Sequence, residues 1–237
     1  MELIRDKWTT ANYADLIDYL RSLQDDNYRQ FHEKLIKGEG LVLGIRVPVL
    51  RNVAKEICKG NYHEFIKCCK TKYHEEVVLR GMVITECDLD YRNFQMEADD
   101  FVKIVNNWAA CDTFCSSLKK PIKNNKEEFW IHLNLYLHSM NPWSVRIGLI
   151  SMLSNYLDEA HVDKVLKRCD KVKSDFYYVR MAQAWLVSTA LAKYPQQTRK
   201  YLRRCSLDSW TFQKMIQKSC ESTRVSTGDK AYLKTLK

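Results

Sequence analysis

Apolar residues recur at helical spacing along almost the whole of this chain, and strand-like alternation is nearly absent. In YADLIDYLRSLQ, residues Leu16, Ile17, Leu20 and Leu23 form the stripe of an amphipathic helix. YRQFHEKLIKG repeats it with Phe31, Leu35 and Ile36 and is expected to stop at Gly38. Pro48 opens a further helix, VLRNVAKEICKG, with Gly60 at its end. The pattern continues through NYHEFIKCCK, HEEVVLRGMVITECDL, DDFVKIVNNW, EEFWIHLNLYLHSM and SVRIGLISMLSNYL. It then runs through EAHVDKVLKRC, DFYYVRMAQAWLVSTALAKY, QQTRKYLRRC and DSWTFQKMIQKSC. Asn61, Asp158, Asp175 and Asp208 each stand before such a segment as expected caps. With only 7 Gly and 4 Pro in 237 residues, the chain lacks the turn formers of an all-β protein. About a dozen helices joined by short loops are therefore expected. Helical pairs recur every 35 to 45 residues or so, the period of HEAT-type arrays, whose pairs bury their apolar faces by stacking on neighbours. The expectation is an all-α chain forming an α-solenoid, one domain over residues 1–237, with about the last twelve residues a frayed basic tail.

Charge divides unevenly along the chain. Residues 1–100 hold 15 Lys/Arg against 18 Asp/Glu, a net of −3. Residues 101–237 hold 23 against 11, a net of +12. A basic half of this kind reads as a footprint for a polyanion, most simply nucleic acid, or as a solvated basic surface. No apolar run approaches membrane-spanning length, and the N-terminal stretch carries early acids and no apolar signal core. The protein is expected in the cytoplasm, without a membrane partner, and as a monomer. Nine scattered cysteines, an odd count, fit small hydrophobes in a reducing compartment better than a disulfide framework. Cys111 and Cys115 share a helix face, but no second pair with zinc spacing follows, so no metal site is expected.

A few residues do not read as core. In NNWAACDTFC, Trp108 and Asp112 are four apart, so a helix stacks a flat π-surface over a carboxylate. That pairing suits a flat cation. Arg146 lies in an apolar helix, at i+3 from Trp143, and Trp185 lies in a later helix. If equivalent positions of successive repeats line one face, Trp108, Asp112, Arg146 and Trp185 meet in one cleft. The structural alternative is that the tryptophans are core and that Asp112 simply pairs with Arg146. Arg46 reads equally as a phosphate contact or a surface charge. So do Lys119, Lys120, Lys123 and Lys126, which stand either in a solvated loop or against phosphates.

The stretches GIRVPVLRNVAK, YHEEVVLRGMVI, NNWAACD, NPWSVRIGLI and DFYYVRMAQAWLVSTALAKYP, in this order and spacing, resemble the AlkD family of DNA alkylation repair glycosylases. The resemblance runs from about residue 10 to 220. It implies HEAT-like repeats, duplex DNA carrying alkylated bases as partner, no cofactor, and excision of cationic alkylpurines. The family's Trp-x-x-x-Asp falls on Trp108 and Asp112, its later arginine on Arg146 and its second tryptophan on Trp185. The resemblance makes Asp112 the catalytic carboxylate near the deoxyribose of the lesion, with Trp108 and Trp185 flanking its backbone. It makes Arg146 the holder of a flanking phosphate and lets the base stay out of a deep pocket, unlike the usual extrusion route. Three departures bear on substrate range: Ala109 where many members carry a polar residue, Arg46 where a neutral polar one is common, and the cysteine-rich ACDTFCSSLK. A non-catalytic DNA-binding array and a scaffold for an acidic protein partner share the basic half but do not need Asp112.

Overall fold

Side-chain chemistry at the helix starts sets most of the element boundaries. Thr9 and Asn12 form a reciprocal capping box at the start of α1 (Thr10–Ser22). Asp25 caps α2 (Asp26–Leu35), and Pro48 stands in the first turn of α3 (Val47–Ile57). Asn61 caps α4 (Tyr62–Cys68), while Glu76 reaches back to the Tyr73 N–H at the start of α5 (His74–Glu86). Asp90 caps α6 (Tyr91–Ile104) and Asn107 caps α7 (Trp108–Ser117). There follow α8 (Lys126–Leu137), α9 (Pro142–Asn155), α10 (Val162–Lys171) and α11 (Tyr177–Lys193). The last three are α12 (Pro195–Leu202), α13 (Ser209–Glu221) and α14 (Thr227–Lys234). The computed structural model describes residues 2–36 and 41–236. Among these there is no strand, only an isolated parallel bridge between Leu41 and Tyr73. The expected helix stop at Gly38 lies outside the described residues.

The helices pack as two compact units, Met1–Phe129 and Trp130–Lys237. In the first, α5 touches α3, α4, α6 and α7. Eleven of its thirteen residues are buried, among them the polar His74, Glu75, Glu76 and Thr85. Gly81 lets α6 approach it closely, since a Cβ there would stand 2.7 Å from Cζ of Phe101. Phe101 in turn stacks on Phe114 of α7 with ring centroids 4.5 Å apart. In the second unit α9, α11 and α13 pack in succession, backed by α10 and α12. In the first unit α3, α5 and α7 pack in succession in the same way, the stacking rule of an α-solenoid. Fully buried rings such as Phe65, Phe94 and Phe129 each stabilise the fold by roughly 1.5–3 kcal/mol.

Four expectations change. The apolar stripe of α2 does not face the core: Phe31 is 58% exposed and Leu35 42%, with Ile36 alone of the three buried. Asp158 accepts the His161 N–H of a turn ahead of α10 rather than capping the helix itself. Asp175 is not the cap of α11; Phe176 stands there, and Asp175 pairs instead with Arg180 at 2.5 Å. The C-terminal residues expected to fray form α14, where Leu233 is buried and Asp229 pairs with Arg199 at 2.7 Å. None of the nine cysteines is joined in a disulfide, and Cys87, Cys111, Cys115 and Cys169 are buried. No helix among the described residues is long and apolar enough to cross a membrane.

Candidate active site

The N-terminus of α7 is held in place by one amide. Oδ1 of Asn107 accepts the Ala110 N–H at 3.0 Å, which satisfies one of the unpaired donors of the first turn. That bond fixes which end of the amide is oxygen. Its Nδ2 is therefore the group 3.2 Å from Nδ1 of His74, so the ring nitrogen accepts and the His74 proton sits on Nε2. Burial first, and the neighbouring His32 ring second, hold His74 far below the usual imidazole range, at about 3. His74 is thus a neutral, fixed brace under the first turn of α7.

That turn carries Trp108, and Asp112 follows one turn later, as the four-residue spacing predicts. Both are half-buried and both line one open cleft of about 320 Å³ in the first unit. The opposing residues come from α2: Tyr28, Phe31, His32 and Leu35. The indole N–H of Trp108 donates to the Leu35 carbonyl at 3.2 Å, so the ring satisfies one of the last carbonyls of α2 and ties the two walls together. Tyr28, His32 and His74 run in series, with ring centroids 5.3 Å apart for the first pair and 4.9 Å for the second. His32 is buried, burial lowers its pKa, and its Nδ1 has no hydrogen-bond partner among the described residues. Ile45, Val47, Leu50 and Val78 complete a mostly apolar lining. In such a lining a carboxylate acts through a lower effective dielectric than in water.

Arg46 stands beside this cleft without lining it. It is the N-cap residue of α3, lies over the Tyr28 ring at 4.8 Å and pairs with Asp25 at 2.8 Å. The loop before it is pinned by the buried Glu75 carboxylate. That group accepts the backbone N–H groups of Leu43, Gly44 and Ile45 at 2.9, 2.8 and 3.3 Å. Gly44 takes φ +86° in that turn, which only glycine adopts without strain.

The other two predicted residues belong to the second unit. Arg146 on α9 is only 5% exposed. Its Nη1 donates to the Tyr178 carbonyl at 2.7 Å, near the start of α11, and its guanidinium lies 6.0 Å from the Tyr178 ring. Trp143 packs on Phe176 and Tyr178 at 5.2 and 5.0 Å, so the i+3 pair on α9 meets the same aromatic corner. Trp185 on α11 is 39% exposed and lines a cleft of about 440 Å³ within that unit, with Lys218, Ser222, Thr223 and Arg224. Glu221 is the one carboxylate among its lining residues.

Sequence reasoning missed Tyr28, His32 and His74. Tyr28, Phe31 and Leu35 follow i, i+3 and i+7 on α2, a pattern that does not distinguish a cleft wall from a core face. Among the described residues no group of three or more His, Cys, Asp or Glu is placed to hold a metal ion. Compared with known families, residues 16–220 match the model of one, described as DNA alkylation repair enzyme. No curated protein matches the chain.

Proposed function

Because this chain belongs to the family of DNA alkylation repair enzymes, we propose that it is a DNA glycosylase hydrolysing the N-glycosidic bond of cationic alkylpurines in duplex DNA. Its substrates on this reading are N7-alkylguanine and N3-alkyladenine. The observation that supports it is the placement of Asp112 and Trp108 on one face of α7, lining one apolar, open cleft. An alkylpurine cation is already a good leaving group. Its departure moves positive charge onto the deoxyribose, which becomes oxocarbenium-like. A fixed carboxylate beside that sugar stabilises the developing charge and positions the attacking water. The indole of Trp108 offers a π-face to the cationic nucleotide, worth roughly 0.5–2 kcal/mol. Trp185 packs against the DNA backbone, with Lys218 and Arg224 beside it for phosphates. Arg146 contributes a positive charge for a flanking phosphate, and Arg46 a further one next to Tyr28. The chemistry calls for no cofactor, and the protein acts as a monomer in the cytoplasm.

The test is release of 7-methylguanine from methylated duplex DNA by the wild type and by Asp112→Asn, with duplex affinity measured in parallel. Asn keeps the shape and removes the charge. Excision is expected to fall by about 10²–10³-fold with affinity nearly unchanged. Equal excision by the two proteins rejects the assignment of Asp112. Release by neither, with salt-sensitive duplex binding intact, replaces the glycosylase by a non-catalytic DNA-binding array.

A further inference from the structure

The second unit holds 18 Lys/Arg against 8 Asp/Glu, a net of +10. The charge is spread over both rows. The helices α9, α11 and α13 together hold five basic residues and one acid, a net of +4. The backing row of α10 and α12 holds six basic residues and two acids, also a net of +4. Three further basic residues, Lys173, Arg203 and Arg204, directly follow those two helices. The two rows face away from each other across α11. Gln183 points its amide at α10, donating to the carbonyls of Cys169 and Val172 at 2.9 and 3.1 Å. Trp185 lies two residues on, rotated by about 200° around the helix, and meets α13 and the segment after it.

The charges of the backing row are organised. Lys164, Lys167 and Lys171 follow i, i+3 and i+7 along α10, and Lys200, Arg203 and Arg204 follow i, i+3 and i+4 at the end of α12. All six are exposed, and none makes an ion pair or hydrogen bond among the described residues. Between the two stripes runs an open groove of about 300 Å³, lined by Lys167, Lys200 and Arg204 together with Asp163 and Asp170. Asp170 is engaged: it accepts from the Tyr201 hydroxyl at 2.9 Å and from the N–H and hydroxyl of Ser206 at 2.7 and 2.8 Å. Asp163 is the remaining acid on the groove.

We propose that this α10–α12 face is a second DNA-binding surface, which grips the phosphate backbone of a duplex segment other than the one held at Trp185. The lining selects among polyanions. It presents long, mobile, mostly lysine charges, which suit a sequence-independent grip on phosphates. The aromatic ring in the groove, Tyr201, is half-buried and committed to Asp170, so there is no free stacking platform of the kind that holds single strands. The aliphatic one, Leu166, is buried, so the groove lacks the exposed apolar anchor around which a protein partner builds its contact. A protein that holds one duplex at each face carries its search from one segment of DNA to another without letting go.

The experiment is capture of a fluorescent 30-base-pair duplex by protein already bound to an immobilised, unlabelled one. It compares the wild type, the triple variant Lys167→Gln/Lys200→Gln/Arg204→Gln, and the charge-matched control Lys193→Gln/Lys230→Gln/Lys234→Gln. Wild type and control are expected to capture the second duplex. The groove variant should hold the first duplex and lose at least tenfold in capture, with its thermal melt and its release of 7-methylguanine unchanged. Each lost phosphate contact should also flatten the log–log salt dependence of capture by about 0.9, so by about 3 in all. Equal loss in variant and control, capture by the variant at wild-type level, or no capture by the wild type each overturns the proposal. Displacement of the second duplex by polyglutamate of matched charge at lower concentration than by unlabelled duplex also overturns it, in favour of an acidic protein segment. Capture is read independently of excision, so it stands or falls separately from the glycosylase assignment.

Discussion

His32 is one of several residues with a buried polar atom that finds no hydrogen bond among the described residues. Its ring is buried between Tyr28 and His74, yet Nδ1 has no hydrogen-bond partner among the described residues. Leaving such a group unsatisfied costs about 1–3 kcal/mol, so its bond comes from ordered water or from a ligand in the cleft. His32→Phe keeps the ring and removes the polar atom. It is expected to raise the thermal midpoint while lowering turnover on methylated duplex, a combination that melting curves and a single-turnover assay check together. His74 makes a second prediction. Its folded-state pKa lies at about 3 against 6.5 in the unfolded chain. Below pH 6.5 the unfolded state binds the extra proton, so the stability due to neutral His74 is complete above that pH. It is lost progressively as pH falls toward 3. Melting curves between pH 7 and 4 should show this decline, and His74→Gln, which keeps an acceptor for Asn107, should flatten it. Neither histidine was legible in the sequence, because a single imidazole in a helix carries no mark of what it faces. Trp108 and Asp112 were legible, since a four-residue spacing maps directly onto one helix face.

At the level of elements, one substitution separates close packing from open space. Gly81→Ala in α5 gains up to about 1 kcal/mol of helix propensity. The new Cβ, however, would stand 2.7 Å from Phe101, whose ring is already backed by Phe114. The net effect is expected to be destabilising by about 1–3 kcal/mol. Gly228→Ala in α14 meets nothing nearer than the Ser226 hydroxyl at 3.9 Å. It should stabilise by a few tenths to about 1 kcal/mol. Urea titrations of the two variants should therefore move in opposite directions. Helical periodicity disclosed nearly every element because most of these helices bury a face against a neighbour. It failed for the orientation of α2, since an apolar stripe is the same whether it meets a core or walls a cleft. It misplaced the starts of α10 and α11, where Asp158 and Asp175 spend their carboxylates on a turn and on Arg180.

For the molecule as a whole, charge is the property that sequence and structure divide between them. The excess of basic residues in the second half was countable at once. Its division between the row of Trp185 and the row of Lys167 was not, because strict helical spacing leaves open which side of α11 each stripe occupies. The charges around Trp185 make a prediction at this scale. Lys218→Gln/Arg224→Gln should weaken binding of a short duplex equally with and without a methylated base. It should also reduce the salt slope by about 2, as expected for contacts that touch phosphates and read no base. Fluorescence anisotropy at several salt concentrations measures both.

The exposed side of α2 has a calorimetric consequence. Phe31 and Leu35 stand in water on the wall of the Asp112 cleft, and any nucleotide seated there removes apolar surface from solvent. Burial of that kind lowers the heat capacity of the complex. Lysines gripping phosphates leave a different trace, a release of counterions that depends on salt. A ligand that truly enters the cleft is thus distinguished from one merely held by charge through the temperature dependence of its binding enthalpy.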